Sequence, residues 1–206
     1  RCLVGSEMCI RDRYYKPRID MDLLKKYHEG IICLSACLQG DIPAKLLAGD
    51  KEGAYAKAQE LKDVFGEDFY IELQYHGLED QKKVLFPLIQ LAKALDIQLV
   101  ATNDVHYVEK KDAFAQRVLM CMSMGKTVTD ETALGYGNPD HWYLKSEEEM
   151  TEIFGSIAPE ALANTQVIAD KCNVEIELVE QGGYKLPTFP LPEGWKSNKE
   201  YFRTLC

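Results

Sequence analysis

LVATNDVHY, residues 99–107, runs from a short, uncharged apolar stretch straight into an Asp-x-His pair. Side chains alternate along a strand, so Asp104 and His106, two positions apart, project to the same side just as the strand ends. In parallel α/β folds that C-terminal edge is where ligands and metals bind. A carboxylate oxygen and an imidazole nitrogen are suitable ligands for zinc, manganese or iron, so the pair reads as half of a metal site. A plainer reading stays open at this point, in which Asp104 caps the following helix and His106 is an ordinary packed histidine.

Working outward toward the N-terminus, two further strands are expected, at residues 31–36 (IICLSA) and 69–73 (FYIEL). Both are short, nearly uncharged runs suited to a parallel strand covered on two faces. Between them, helices are expected over residues 19–30, from Asp41 onward, and over 53–65, where Ala54, Ala58, Leu61 and Phe65 keep helical spacing before Gly66. Residues 80–95 form another apolar stripe, in which Pro87 should kink the helix or mark its first turn. The order β-α-α-β-α-β implies a parallel α/β domain. Three strands cannot close a barrel, so a barrel reading requires earlier strands on the N-terminal side.

Cys37 stands at the end of the first strand just as Asp104 and His106 stand at the end of the third, and a thiolate suits the same metals. An isolated cysteine is equally a small buried apolar residue, the reading given to Cys33. Glu72 and His76 follow the middle strand and are candidates to support the site by hydrogen bonds rather than to ligate. His28 and His141, at a helix end and in a loop, are expected as solvated surface histidines.

Beyond Asp112 the pattern turns helical, with helices expected over 113–122, 146–154 and 159–172 and a polar loop over 125–141. Ser146 and Glu149 carry the spacing of a capping box. Residues 174–179 alternate apolar with acidic residues as in an exposed strand, 181–196 are rich in Gly and Pro like a linker, and 199–205 begin an amphipathic helix. The expected organisation is therefore a leader of foreign character at 1–13, an α/β part at 14–112, a helical connection at 113–180, and a linker with the start of a further domain at 181–206, with truncation at both ends.

The chain of 206 residues is globular in composition, and its 24 basic against 33 acidic residues argue against broad electrostatic gripping of nucleic acid by this segment alone. Seven scattered cysteines give neither a disulfide framework nor a zinc ribbon, which fits a reducing cytoplasm. No apolar run is long enough to span a bilayer, so no membrane partner is expected. No glycine-rich phosphate loop, GxSxG or HExxH occurs, so nucleotide binding through those motifs is excluded.

Four blocks, residues 30–50 (GIICLSACLQGDIPAKLLAGD), 69–84 (FYIELQYHGLEDQKKV), 99–113 (LVATNDVHYVEKKDA) and 143–165 (from YLKSEEEMTEIF to PEALANT), closely resemble the alpha subunits of bacterial DNA polymerase III, in order and with natural spacing. The resemblance implies a PHP (polymerase and histidinol phosphatase) domain, a distorted seven-stranded β/α barrel able to hold a trinuclear metal cluster, here represented by its later part and a mainly helical extension. The family's late ligands fall on Cys37, Asp104 and His106, while a His-x-His motif and further ligands would precede Tyr14. The resemblance further implies zinc or manganese in this site and magnesium for DNA polymerisation, whose aspartates lie beyond Cys206. DNA, deoxynucleoside triphosphates, a sliding clamp and a proofreading exonuclease are the implied partners, in a cytoplasmic, nucleoid-associated setting. For the PHP part it implies either metal-dependent phosphoesterase activity with 3′–5′ proofreading, or an inactive scaffold that docks a separate proofreading exonuclease.

Overall fold

A computed structural model describes residues 19–130, 139–175 and 190–206, and divides the chain into two compact units, Arg1–Lys171 and Cys172–Cys206. In the first unit, α1 (Met21–Lys26) is followed by β1 (Cys33–Leu34), α2 (Asp41–Leu47), α3 (Lys51–Phe65), β2 (Phe69–Leu73), α4 (Glu79–Ala94) and β3 (Gln98–Ala101). Three further helices, α5 (Ala113–Met124), α6 (Glu147–Phe154) and α7 (Pro159–Lys171), follow among the described residues. The strands form one parallel sheet in the order β1-β2-β3, with Cys33 opposite Phe69 and Ile71 opposite Leu99. All three strands therefore end at the same edge, and two helices or one helix make each crossover, as parallel pairing demands.

Alternation decides what each strand residue does. Phe69, Ile71 and Leu73 on β2 and Leu99 and Ala101 on β3 join Ala54 and Ala58 of α3, Val84, Leu88 and Leu91 of α4, and Phe154 and Ala161 in one buried apolar cluster. Ile71, Leu73 and Leu91 are completely buried, each worth about 1.5–3 kcal/mol. The intervening positions, Tyr70, Glu72, Val100 and Thr102, fall outside that cluster, and Tyr70, Glu72 and Thr102 among them carry polar groups. Helix ends follow local chemistry: Asp20 Oδ1 accepts the Leu23 N–H at 2.9 Å, Asp50 Oδ1 accepts the Gly53 N–H at 2.8 Å, and Gly66 closes α3 at φ +56°.

Several elements differ from the sequence reading. The first strand is two residues long rather than six, because Ala36 turns into the left-handed region (φ +64°) and swings the chain out of the sheet. The first helix stops at Lys26. Pro87 lies inside α4 and not in its first turn, so the carbonyl four residues back has no helical partner while the helix continues on both sides. The capping box before α6 forms in both directions: Ser146 Oγ accepts the Glu149 N–H and a Glu149 oxygen accepts the Ser146 N–H at 2.9 Å. Of the expected strand at 174–179, residues 174 and 175 have no strand structure and the others lie outside the described residues, as do 181–189 of the expected linker.

In the second unit, α8 (Asn198–Leu205) is capped by Ser197, whose Oγ accepts the Glu200 N–H at 3.2 Å, and Trp195 packs edge-on against Tyr201 at 5.3 Å. Among the described residues no helix is long and apolar enough to cross a membrane.

Candidate metal centre at the strand ends

Cys37, Asp104 and His106 all follow strand C-termini on the same edge of the parallel sheet, Cys37 after β1 and the other two after β3. β2 stands between those strands. Asp104 and His106 are brought together: Asp104 Oδ1 lies 4.0 Å from His106 Nδ1, and their side chains are 35% and 40% exposed, open to an incoming ligand. Among the described residues no three His, Cys, Asp or Glu side chains converge on a metal-sized space, so Cys37 does not join the pair in a cluster.

The imidazole of His106 is set up for ligation by its own chain. Its Nδ1 lies 2.9 Å from the main-chain carbonyl of Asp104. A carbonyl only accepts, so Nδ1 carries the proton and donates, leaving the Nε2 lone pair for a metal. The same second-atom hydrogen bond orients metal-bound histidines generally.

The turn that carries Cys37 is tight and held from several sides. The Gly40 N–H donates to the Cys37 carbonyl at 2.8 Å, the Ser35 N–H donates to the Tyr70 carbonyl at 3.1 Å, and Ser35 Oγ accepts the Glu72 N–H at 2.8 Å. A Cβ on Gly40 would stand 2.3 Å from the Ser35 carbonyl oxygen, so only glycine fits. Cys37 itself is half-buried. The neighbouring Cys33 is half-buried against the apolar cluster rather than fully buried as expected, its pKa pushed up to about 11 by desolvation, with Lys57 pulling the other way.

Glu72 and His76 occupy supporting positions. Glu72 is half-buried; its Oε1 accepts from Thr102 Oγ1 and, at 2.7 Å, from the Gln74 amide, lacing β2 to the end of β3. His76 is 1% exposed. The Gln81 oxygen accepts its main-chain N–H at 2.7 Å, which orients the amide so that Gln81 Nε2 donates to His76 Nδ1 at 2.9 Å. The neutral ring therefore has its proton on Nε2, a buried N–H with no partner among the described residues. Burial first, then the electrostatic influence of Lys145, His106 and His141, holds the His76 pKa down at about 4.

Residues 141–145 close the rim, a role with no local sign in their own composition or spacing. The His106 N–H donates to the Trp142 carbonyl at 2.8 Å, the Trp142 N–H donates to Tyr107 Oη at 3.3 Å, and the Leu144 N–H donates to the Val108 carbonyl at 3.2 Å. Lys145 Nζ bridges the His141 carbonyl at 2.5 Å and Asn103 Oδ1 at 3.3 Å. Trp142 stacks on His76 (4.1 Å between centroids, 7° between planes) and meets His106 edge-on at 4.9 Å. His141 is half-buried rather than solvated, and a Cβ at Gly77 would lie 3.4 Å from its ring. His28 is likewise half-buried, packed edge-on against Phe65 at 6.2 Å.

Comparison with known families gives matches compatible with a mixed α/β fold. Residues 3–76 match the PHP domain, a match that begins inside the stretch set apart as a leader and ends before Asp104 and His106. A PHP domain is thus present in the N-terminal part of the chain. Nearly the whole chain is similar to one part of the DNA polymerase III subunit alpha: 43% identical over 204 residues to that of Treponema pallidum (strain Nichols), 98% of this chain and 17% of the relative. The Thermus aquaticus subunit is 39% identical over 204 residues, again 98% and 17%, and that of Helicobacter pylori (strain ATCC 700392 / 26695) is 42% identical over 198 residues, 91% and 16%. The chain belongs to the DNA polymerase III alpha-subunit family and spans about one sixth of the length of these relatives.

Proposed function

We propose that this chain is the later part of a metal-binding PHP module in a bacterial replicative DNA polymerase III alpha subunit, a cytoplasmic enzyme that synthesises DNA with sliding-clamp and proofreading partners. In this reading β1, β2 and β3 are consecutive strands of a seven-stranded β/α barrel. Cys37, Asp104 and His106 would ligate zinc or manganese at its rim, alongside ligands that family sequences carry ahead of Tyr14. The observation that supports the reading is His106, whose Nδ1 is committed to the Asp104 carbonyl so that Nε2 keeps its lone pair, with the Asp104 carboxylate 4.0 Å from the same Nδ1. A thiolate, carboxylate and imidazole are a donor set suited to borderline divalent metals.

When bound, divalent metal supplies Lewis-acid charge for hydrolysis of a phosphodiester, the chemistry of 3′-end proofreading. This chain's residues contribute the rest. Asp104 and His106 face solvent and are accessible to a nucleic-acid end. Glu72, Gln74 and Thr102 fix the β2 and β3 ends, and the buried His76 supports the wall behind them.

The test is metal analysis of the full-length protein and its Asp104→Asn variant after dialysis. The variant is expected to lose at least one equivalent of transition metal and all metal-dependent 3′–5′ nuclease activity while polymerisation continues. Unchanged metal content refutes the assignment. The scaffold alternative draws on the absence of a three-residue cluster among the described residues. It requires that wild-type protein have no nuclease activity and that metal removal lower only its melting temperature.

A further inference from the structure

The geometry points to Trp142 as the positioning residue of the His106 ligand: its carbonyl receives the His106 N–H, and its ring fixes the plane in which that imidazole presents Nε2. This inference rests on the metal reading above. The hydrogen bond from His106 Nδ1 to the Asp104 carbonyl sets one ring atom but leaves the ring free to swing about it. A second contact is needed to fix the plane, and the edge-on packing against Trp142 at 4.9 Å supplies it.

Trp142 is itself held firmly. Its other aromatic neighbour, His76, lies almost parallel to it at 4.1 Å and is fixed through both its main-chain N–H and Nδ1 by Gln81. Its main-chain N–H is tied to Tyr107 Oη, and the adjoining Tyr143 forms a parallel bridge with Tyr107. Trp142 is only 8% exposed, yet it stands outside the main apolar cluster, and its ring partners are two histidines. A tryptophan whose only work was to fill the core would belong to that cluster. The Asp104–His106 loop is thus completed by a segment that follows it by some 35 residues.

The experiment is a cobalt(II) titration of the full-length protein against a competing chelator, read by the visible ligand-field bands. Only the cobalt that Asp104→Asn fails to bind is counted. Trp142→Leu, which keeps apolar bulk and the main-chain carbonyl but removes the aromatic ring, is expected to weaken that site about 10-fold, the lower end of the usual effect of an outer partner on metal affinity. Its bands should shift in energy or intensity. Trp142→Phe, which restores a ring, is expected to recover affinity to within about 3-fold and the wild-type bands. Affinity and bands unchanged in Trp142→Leu overturn the inference while the metal reading stands. Absence of Asp104-dependent cobalt from the wild type overturns both. Should Trp142→Leu lose its far-ultraviolet circular dichroism, Tyr107→Phe decides, since it deletes only the hydroxyl that receives the Trp142 N–H. A band shift there supports the inference, and an unaltered spectrum and affinity overturn it.

Discussion

Gly40→Ala tests the rim at its tightest point. Gly40 has φ −63° and ψ 150°, a conformation any L-residue adopts, so the substitution carries no dihedral penalty and its effect is one of space alone. The added Cβ would stand 2.3 Å from the Ser35 carbonyl oxygen and 3.1 Å from that of Cys37, where ordinary contact begins near 3.4 Å. Relief requires about 1 Å of movement, and the atom in the way is main chain, not a flexible side-chain tip. Ser35 resists that movement through its N–H to Tyr70 and its hydroxyl to Glu72. Overpacking of this kind costs about 1–3 kcal/mol, and each hydrogen bond broken adds about 1 kcal/mol. A loss of about 3 kcal/mol lowers the melting temperature of a chain this size by about 6–12 °C.

The assay is thermal unfolding by circular dichroism, with Gly49→Ala in parallel. Gly49 is the opposite case, with φ +81° and nothing within 4 Å, so its penalty is dihedral alone, about 1 kcal/mol and about 2–4 °C. Gly40→Ala must be the more damaging of the two. A melting temperature for Gly40→Ala equal to or above that of Gly49→Ala would show that the turn yields freely, and the rigidity ascribed to the Cys37 loop would be wrong.

Two further outcomes follow from desolvated titrating groups. His76 has its pKa lowered from 6.5 to about 4, so unfolding takes up a proton in that interval. Stability from the neutral ring is full above about pH 6.5 and declines as pH falls toward about 4, by about 3 kcal/mol in all. Denaturant titrations between pH 7.5 and 4.5 should show that slope, and His76→Phe, which keeps the stack on Trp142, should reduce it; an equal slope in the variant removes His76 as the cause. With its pKa near 11, Cys33 holds about one hundredth of the thiolate that an ordinary thiol holds at pH 8. Iodoacetamide followed by peptide mass spectrometry should therefore label exposed Cys172 much faster than half-buried Cys33, and equal rates would contradict the desolvation of Cys33.

What the sequence disclosed was whatever depends on near neighbours. The stretch at 99–107 carries its strand one residue earlier than the expected 99–102, at Gln98–Ala101, with Leu99 and Ala101 facing the apolar cluster. The capping box at Ser146 and the Gly66 stop are local chemistry and were equally legible. The brevity of β1 was hidden, since IICLSA has a strand's composition and nothing in it announces a left-handed alanine. The pairing of residues 103–108 with 141–145 was hidden for a different reason: no periodicity links segments that far apart, and Trp142 sits in a polar stretch without helical or strand pattern. The burial of His76 depends on that same tryptophan. A faint sign of it existed in Gln81, five residues on in the first turn of α4, a polar residue on the buried stripe that needed a partner.

The outer strand also explains why the helices after Asp112 matter to the rim. Among the described residues β3 has a strand, β2, on one side only. On the other, Asn164 of α7 donates its amide to the Leu99 carbonyl at 2.7 Å, occupying a main-chain acceptor that a further strand would otherwise use. Phe154, Ala158 and Ala161, all completely buried, add the apolar contact of α6 and α7 to the same cluster. Burial of Phe154 contributes about 2–3 kcal/mol and each hydrogen bond to Leu99, His106 and Val108 about 1 kcal/mol. Those contributions are comparable with the whole net stability of a small domain. A cut at residue 112 would remove all of them and leave Asp104 and His106 on a strand supported from one side, so the segment that presents these two residues extends physically to Lys171.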